Sequence, residues 1–168
     1  LAFGPDHIRL LRRFKPGQLY DTEKVDDLRK ALVATGLFST VTVEPVDTGK
    51  TAADGTRIVD LAVTQRVGRT RSIAATGGYS TGEGIKLEGT FTARNAFPPE
   101  GAFIVGAVAG TQEQSGTVTF RRSNWNQRDR TLSFGLSAGH NNYDAFDAAT
   151  LSLFGRVSYD STPIWQKR

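Results

Sequence analysis

Strict alternation of apolar and polar residues governs the chain after residue 70. The clearest stretch is Gly84–Asn95, where Ile85, Leu87, Phe91 and Ala93 occupy odd positions and polar side chains occupy most positions between them. Side chains of a β-strand point alternately to opposite faces, so this period of two predicts a strand with one apolar and one polar face. The apolar face must then lie against either the core of a soluble protein or the lipid of a membrane.

Six such segments follow one another, and we predict that they are strands joined by short turns into an antiparallel meander. The segments are Ser72–Ser80, Gly84–Asn95, Ala102–Thr111, Thr117–Arg122, Thr131–His140 and Ala148–Asp160. The predicted turns are residues 81–83, 97–101, 112–116, 123–130 and 141–147. Phe154 interrupts the alternation of the last segment, and both faces of the third segment carry apolar residues.

The two faces of this meander differ in a way that favours a membrane. The polar face is built mainly from Ser, Thr and Gly, and the apolar face is continuous over all six segments, with no later helix to cover it. Such an area exceeds the few hundred Å² of contiguous apolar surface that soluble monomers usually expose. A transmembrane β-barrel, with lipid outside and water inside, would satisfy both faces. Aromatic residues near the segment ends fit interfacial girdles: Tyr79, Phe97, Trp125, Tyr143, Tyr159 and Trp165.

A soluble protein is the alternative. A β-sandwich, or a β-rich lipid- or ligand-binding barrel lidded by helices, would turn the same apolar faces inward. The aromatic residues would then be ordinary turn packing. Dependence on detergent or lipid separates the two hypotheses.

The first seventy residues have a different pattern, helix–helix–strand–strand. The first helix is predicted over Pro5–Arg13, and the second begins at Asp21 or Thr22, either of which is a suitable N-cap. The second helix is expected to bury a stripe of Val25, Leu28 and Leu32 and to end at a capping Gly36. Strands are predicted at Leu37–Val46 and Arg57–Thr64, on either side of a polar loop containing Gly49, Asp54 and Gly55.

This order resembles the polypeptide-transport-associated (POTRA) domain, whose pattern is strand–helix–helix–strand–strand. A glycine-poor first part and a glycine-richer second part place the domain boundary near residues 68–71. The resemblance implies a POTRA-like domain over residues 1–68, entered after its first strand, and membrane strands over residues 69–168. It rests on Pro16, Gly17, Tyr20, Gly36, Leu37, Phe38, Ser39 and Val41.

The second part is similar to the barrel of the outer-membrane assembly and translocation superfamily that joins POTRA domains to a transmembrane β-barrel, most of all to its TamA-like branch, with BamA-type relatives. That barrel has sixteen strands in the family, so the chain would cover the last POTRA domain and the first six strands. The family's late-barrel Arg-Gly-Phe loop is not in this sequence. The matching residues are Gly78, Tyr79, Ser80, Thr81, Glu83, Gly84, Arg94, Asn95, Phe97 and Gly101.

The resemblance implies a function without chemistry: insertion or secretion of client β-barrel or autotransporter proteins through a weak seam at the first barrel strand. Gly77 and Gly78 suit such a seam because glycine weakens a strand, although they could equally make only a bend. An unpaired edge is a template for an incoming strand. The implied client-pairing strand consists of Ser72, Ile73, Ala74, Ala75, Thr76, Gly77, Gly78, Tyr79 and Ser80.

The resemblance also implies a location and partners. Residues 1–68 would lie in the periplasm and the strands in the bacterial outer membrane, in contact with its lipid and with client outer-membrane proteins. An inner-membrane or periplasmic partner could bind through the POTRA-like domain. Six strands have two bare edges and cannot close a barrel alone, which leaves open an oligomer that completes the sheet between copies.

We predict no enzyme, cofactor or metal site. Cysteine is absent, His7 and His140 lie in different segments, and no P-loop or Gly-x-Ser-x-Gly elbow occurs. Gly82-Glu83-Gly84 lacks the third glycine of a dinucleotide fingerprint and falls in a turn. Net charge is +4 without a basic tract, which argues against nucleic acid.

Scattered charges on the predicted strands have a simple interpretation. Glu83, Glu88 and Glu100 could be read as acid–base candidates, but such carboxylates are more often turn or lumen residues. We predict that Lys86 and Arg94 are lumen cations that pair across strands with Glu88.

Overall fold

A computed structural model describes residues 3–159 of the protein. The described residues form two compact units, one that ends at Arg69 and one that begins at Thr70. The first unit contains two helices and a two-stranded sheet, and the second contains a six-stranded sheet. Neither of the helices in residues 3–159 has the length and apolar character needed to cross a bilayer.

The two helices of the first unit begin where the sequence predicts. Helix α1 spans Pro5–Leu11 and has proline in its first turn, and it ends two residues before the predicted Arg13 because Arg12 is extended. Helix α2 spans Thr22–Ala34, and the Asp21 side chain accepts a hydrogen bond from the Glu23 N–H at 2.9 Å. Of the two N-cap candidates, Asp21 is therefore the cap.

The end of α2 shows why a glycine follows it. Thr35 holds the C-cap position, and its hydroxyl donates a hydrogen bond to the Leu32 carbonyl at 2.7 Å. Gly36 lies one residue farther on with φ +68°, in the left-handed region that glycine adopts at low cost. The predicted capping glycine is confirmed as the residue that ends the helix, one position beyond the cap itself.

The solvent face of α2 carries a small ion-pair cluster. The Asp26 carboxylate lies 2.7 Å from Lys30 Nζ and 2.8 Å from an Arg29 guanidinium nitrogen. Hydrogen bonds from Lys30 and then Arg29 lower the pKa of the Asp26 carboxyl below its usual value. Because these pairs span three and four residues, they support the helix locally.

A long hairpin follows the helices. Strand β1 spans Phe38–Thr51 and pairs antiparallel with β2, Arg57–Val67. Both run longer than predicted, and the polar loop shrinks to residues 52–56. Asp47 holds the extended part, since its carboxylate accepts the Gly49 N–H at 2.9 Å and lies 2.7 Å from an Arg57 guanidinium nitrogen.

The core of the first unit lies where α2 packs on β1. The stripe predicted on α2 is confirmed, since Val25, Leu28 and Leu32 are all buried. A cluster of buried side chains forms around two of them, and it consists of Phe3, Leu11, Leu28, Leu32, Leu37 and Val41.

The second unit is a six-stranded antiparallel meander with the strand order β3-β4-β5-β6-β7-β8. Each strand pairs with its sequence neighbours, as predicted from the alternating segments. The strands are β3 Arg71–Ser80, β4 Gly84–Phe97, β5 Gly101–Gly110, β6 Glu113–Arg122, β7 Arg130–Tyr143 and β8 Phe146–Tyr159.

Two predicted turns are wrong because polar strand ends look like loops in the sequence. The predicted turn 112–116 is mostly strand: β6 begins at Glu113 and pairs with both neighbours, so the turn is only residues 111–112. The predicted turn 141–147 shrinks to residues 144–145, and the Tyr143 and Phe146 rings meet across it at 5.2 Å. The turns at 98–100 and 123–129 are shorter than predicted, and the predicted strand residue Asp160 lies outside the described residues.

Phe154, which interrupts the alternation of β8, has a structural partner. Its register neighbour on β7 is Gly135, which is buried. A Cβ atom at Gly135 would lie 2.7 Å from two atoms of the Phe154 ring and 2.9 Å from the Val118 carbonyl oxygen. Gly135 therefore makes room for the ring on the polar face, an aromatic covering of a strand glycine.

Removing a buried leucine should destabilise the first unit. Because Leu28 is 2% exposed in the core cluster, we expect Leu28→Ala to lower the free energy of unfolding by about 2–5 kcal/mol. Val33→Ala on the same helix is the matched control, since Val33 is 51% exposed. Hydrogen exchange of the amides in residues 22–34 reports the change, and equal protection in the two variants would contradict the assigned core.

Filling the space beside Phe154 should damage the second unit. We expect Gly135→Val to displace the Phe154 ring and to destabilise the sheet by about 1–3 kcal/mol, the usual cost of overpacking. Gly155→Val is the control, because no atom lies within 4 Å of a Cβ at Gly155. Thermal unfolding in detergent measures both variants, and an equal loss in both would show that the close approach is not the cause.

Candidate functional site: the faces and the free edge of the sheet

One face of the six-stranded sheet is a continuous apolar surface. A single row of paired residues crosses all six strands, and its outer members, Ile73 on β3 and Leu153 on β8, are each 81% exposed. The row runs through Ile73, Phe91, Val105, Val118, Leu136 and Leu153. Side chains packed into a sandwich would be buried at these positions, so the exposure matches a surface that faces lipid.

Aromatic residues lie at both ends of the strands. Tyr143 closes β7 beside Phe146, and Phe97 and Tyr159 end β4 and β8. Trp125 lies in the 123–129 turn, where the Arg130 guanidinium is 5.1 Å from the centre of its ring. Aromatic residues at strand ends are typical of interfacial girdles, which stay a prediction here; the register places Tyr143 and Phe146 on the polar face. Trp165, also predicted for a girdle, lies outside the described residues.

The opposite face is polar and carries charges at both ends. At one end Lys86 Nζ lies 2.8 Å from Glu113 Oε2 and 3.3 Å from Glu88 Oε1. Lys86 and Glu88 therefore form an ion pair, but both lie on β4, so the prediction that they pair across strands is wrong; the partner from another strand is Glu113 of β6. Glu113 was missed because the sequence placed it in a turn. Arg94 does not share this cluster: it lies six residues from Glu88 on the same strand, roughly 20 Å away, so its predicted pairing with Glu88 is wrong.

The carboxylates considered for acid–base chemistry are not brought together. Glu83 lies in the turn before β4, and Glu100 lies in the turn after it, so the length of β4 separates them. Glu100 is buried and accepts a hydrogen bond from the Asn124 amide at 2.8 Å. Among residues 3–159 no group of three or more His, Asp or Glu side chains could hold a metal ion.

The predicted client-pairing strand is the first strand of the sheet, β3. In the part of the chain that the structure describes, β3 has β4 as its only neighbour, so its other edge is unpaired. The strand begins one residue before the predicted Ser72, at Arg71. Nearly all of its side chains are exposed, including Tyr79 at 74%.

Hydrogen bonds near the two ends of β3 show which of its residues direct their backbone N–H and C=O groups toward the unpaired edge. Near the start of β3 the Arg94 N–H donates to the Thr70 carbonyl, so this pair is bonded toward β4. Near its end Ile85, the partner of Tyr79, uses its carbonyl for the Thr111 N–H on the β5 side. Bonded and non-bonded pairs alternate in an antiparallel ladder. Even-numbered residues of β3 therefore bond to β4, and the outward-facing groups belong to Arg71, Ile73, Ala75, Gly77 and Tyr79.

The packing around β3 does not require glycine at position 77 or at position 78. A Cβ at Gly77 would meet only Leu87 Cδ1, at an ordinary 3.6 Å, and a Cβ at Gly78 would meet nothing within 4 Å. Neither position has a positive φ. Within the described residues, side chains could replace both hydrogens without moving a neighbour.

Comparisons with known proteins bear on the fold. No protein-family model matches the chain, and no curated protein is similar to it in sequence. A crystal structure of BamA from Haemophilus ducreyi lacking POTRA domains 1–3 aligns with 92% of this chain at a TM-score of 0.75 and 17% identity. The alignment covers 29% of the BamA chain, so this protein spans under a third of that length.

At this level of identity the likeness concerns fold. Two helices followed by antiparallel meander sheets match a portion of BamA, as the resemblance to the superfamily predicted at the level of architecture. The POTRA assignment and the TamA-like branch stay predictions. The chain thus has the fold of part of a BamA-like outer-membrane β-barrel protein.

Proposed function

We propose that this chain is part of an outer-membrane protein that inserts or translocates client proteins. The observation that carries the proposal is the apolar row across all six strands, in which Ile73, Val118, Leu136 and Leu153 are exposed and the other two residues are half-buried; water would oppose such a surface and lipid would accommodate it. The likeness of its fold to BamA supports it. Under this proposal lipid covers the apolar face and water covers the polar one.

The turns supply an orientation under this proposal. Successive antiparallel strands place the turns 81–83, 111–112 and 144–145 at one end, and 98–100 and 123–129 at the other. With residues 1–68 in the periplasm as a POTRA-like domain, the first set faces outward and the second faces the periplasm. On the basis of the sequence resemblance, the same proposal includes an inner-membrane or periplasmic partner that binds residues 1–68. It also includes membership of the TamA-like branch, with autotransporter proteins as clients.

The free edge of β3 provides the mechanism. Arg71, Ile73, Ala75, Gly77 and Tyr79 each present a backbone N–H and C=O away from β4. In hydrocarbon each unsatisfied group costs several kcal/mol, so an unpaired edge gains by accepting a strand. A client strand that aligns there satisfies both partners by strand addition. The step needs no catalytic residue, cofactor or nucleotide.

A proline at Gly77 tests this mechanism. Because the Gly77 N–H faces the free edge, Gly77→Pro removes an edge donor and leaves the bonds between β3 and β4, as proline tolerates edge positions whose N–H faces outward. We expect about tenfold slower insertion of a urea-unfolded, eight-stranded bacterial β-barrel into phosphatidylcholine vesicles that contain the protein, the effect of losing roughly 1.4 kcal/mol of hydrogen bonding. Protease protection of the client measures the rate.

Two variants control this experiment. Gly77→Ala keeps the N–H and adds only an ordinary contact with Leu87, so it should insert clients at the wild-type rate. Gly78→Pro removes an N–H that bonds to β4 and should instead unfold the β3–β4 hairpin. Wild-type insertion by a folded Gly77→Pro protein would contradict the edge mechanism. A protein that stays monomeric without detergent or lipid would favour the soluble alternative instead.

A further inference from the structure

Three arginines form one row across the polar face of the sheet. Arg121 on β6 pairs with Ser133 on β7, and Ser133 pairs with Arg156 on β8. On the other side Arg121 pairs with Ala102 of β5. Arg94 follows Ala93, which pairs with Phe103 next to Ala102; Arg94 is thus close to the same level on β4, at the first position of the register shift between Ala93 and Phe97. Alternate strands thus carry one arginine each, with small side chains between them.

Among the residues that the structure describes, none neutralises the row. No ion pair or side-chain hydrogen bond joins Arg94, Arg121 or Arg156 to another residue in the range 3–159. Glu88 and Glu113 are engaged by Lys86 at the far end of the strands. Glu100, in the turn nearest the row, is buried and takes a hydrogen bond from Asn124. The polar face therefore has a paired end and a cationic end.

The spacing of the row selects the shape of a ligand. Neighbouring strands lie about 4.8 Å apart, so the arginine Cα atoms are about 10 Å from one another and the whole row is about 19 Å long. A single small anion can meet at most two of the guanidinium groups. A segment in the extended polyproline II conformation has three residues per turn and rises about 3.1 Å per residue, so acidic residues at every third position lie on one side, about 9 Å apart, and match the row. Arginine binds carboxylates through paired hydrogen bonds, which suits such a segment.

The surroundings of the row favour a peptide over nucleic acid. Proteins that bind single strands combine cations with aromatic side chains on which bases stack. Beside the row the polar face offers mainly Ser, Thr, Gly and Ala, with Ile104 two residues from Ala102; the nearest aromatic ring on that face, Phe154, lies against Gly135 and is 42% exposed. Within the described residues the row therefore has one aromatic ring beside it and lacks the series of rings on which successive bases stack.

We propose that the arginine row binds an acidic, extended segment of a client polypeptide on the water-facing side of the sheet. The inference rests on the proposed function, which brings an unfolded client to this sheet. The row would hold the segment through hydrogen bonds between opposite charges, so binding should weaken as salt rises.

Peptide binding tests the row directly. The probe is a fluorescent peptide with four Glu-Ser-Ser repeats, titrated into the protein in zwitterionic detergent at low salt; its Gln-Ser-Ser counterpart is the uncharged control. We expect the triple variant Arg94→Gln, Arg121→Gln, Arg156→Gln to bind the Glu peptide at least about tenfold more weakly, since each lost charge–charge hydrogen bond is worth more than a neutral one. The Gln peptide should not bind the wild type.

Arg122→Gln is the matched control variant. Arg122 adjoins Arg121 on β6 but lies on the opposite face, in register with Leu132. Arg122→Gln removes one positive charge, as the single variant Arg121→Gln does; it should leave the affinity for the Glu peptide unchanged, whereas Arg121→Gln should weaken it. An equal loss in Arg122→Gln would overturn the proposal, because net charge rather than the row would explain the binding.

Other ligands provide the remaining outcomes. If the wild type shows no measurable binding of the Glu peptide, the proposal is overturned. It is also overturned if a twelve-residue thymidine oligonucleotide binds the wild type more tightly than the Glu peptide does, or if millimolar inorganic phosphate displaces the peptide completely. Gly77→Pro keeps the row and should bind the peptide like the wild type. The insertion assay therefore tests the edge mechanism, and the peptide titration separately tests the arginine row.

Discussion

The antiparallel backbone ladder is the constraint on which the second unit depends. Its register pairs every strand from β3 to β8 with its neighbours, and side chains at paired positions share a face. The ladder thereby assembles single residues into rows that cross the whole sheet. The apolar row from Ile73 to Leu153 and the arginine row on the other face are two products of the same register.

The same ladder accounts for the special character of β3. Interior strands form hydrogen bonds with two neighbours, whereas in the described residues β3 has only β4 and β8 has only β7. Its odd-numbered residues carry both the outward-facing backbone groups and the apolar side chains, such as Ile73 and Tyr79. An incoming strand would therefore find hydrogen-bond partners and lipid-facing side chains at the same positions. Strand addition follows from this coincidence without any reactive group.

Most of the fold could be predicted from the sequence because apolar and polar residues alternate with a period of two in the strands. The prediction failed where a polar strand end resembles a turn: Glu113 was assigned to a loop, although its pairing with Asn141 of β7 holds it in a strand beside Lys86. It also could not explain Phe154, whose place against Gly135 depends on a neighbouring strand eighteen or more residues away in sequence. Both misses concern partners that lie across the sheet and carry no local signal.

Periodicity and capping signals in the sequence alone determined the order of helices and strands, the two faces of the sheet and the identity of the edge strand. Tertiary structure alone decided which residues meet, including the separation of Arg94 from Glu88 and its alignment with Arg121 and Arg156. The physical reason is that alternation defines a face within one strand, whereas the register between strands depends on turn lengths and hydrogen-bond pairing. A slip of one residue would send a side chain to the opposite face.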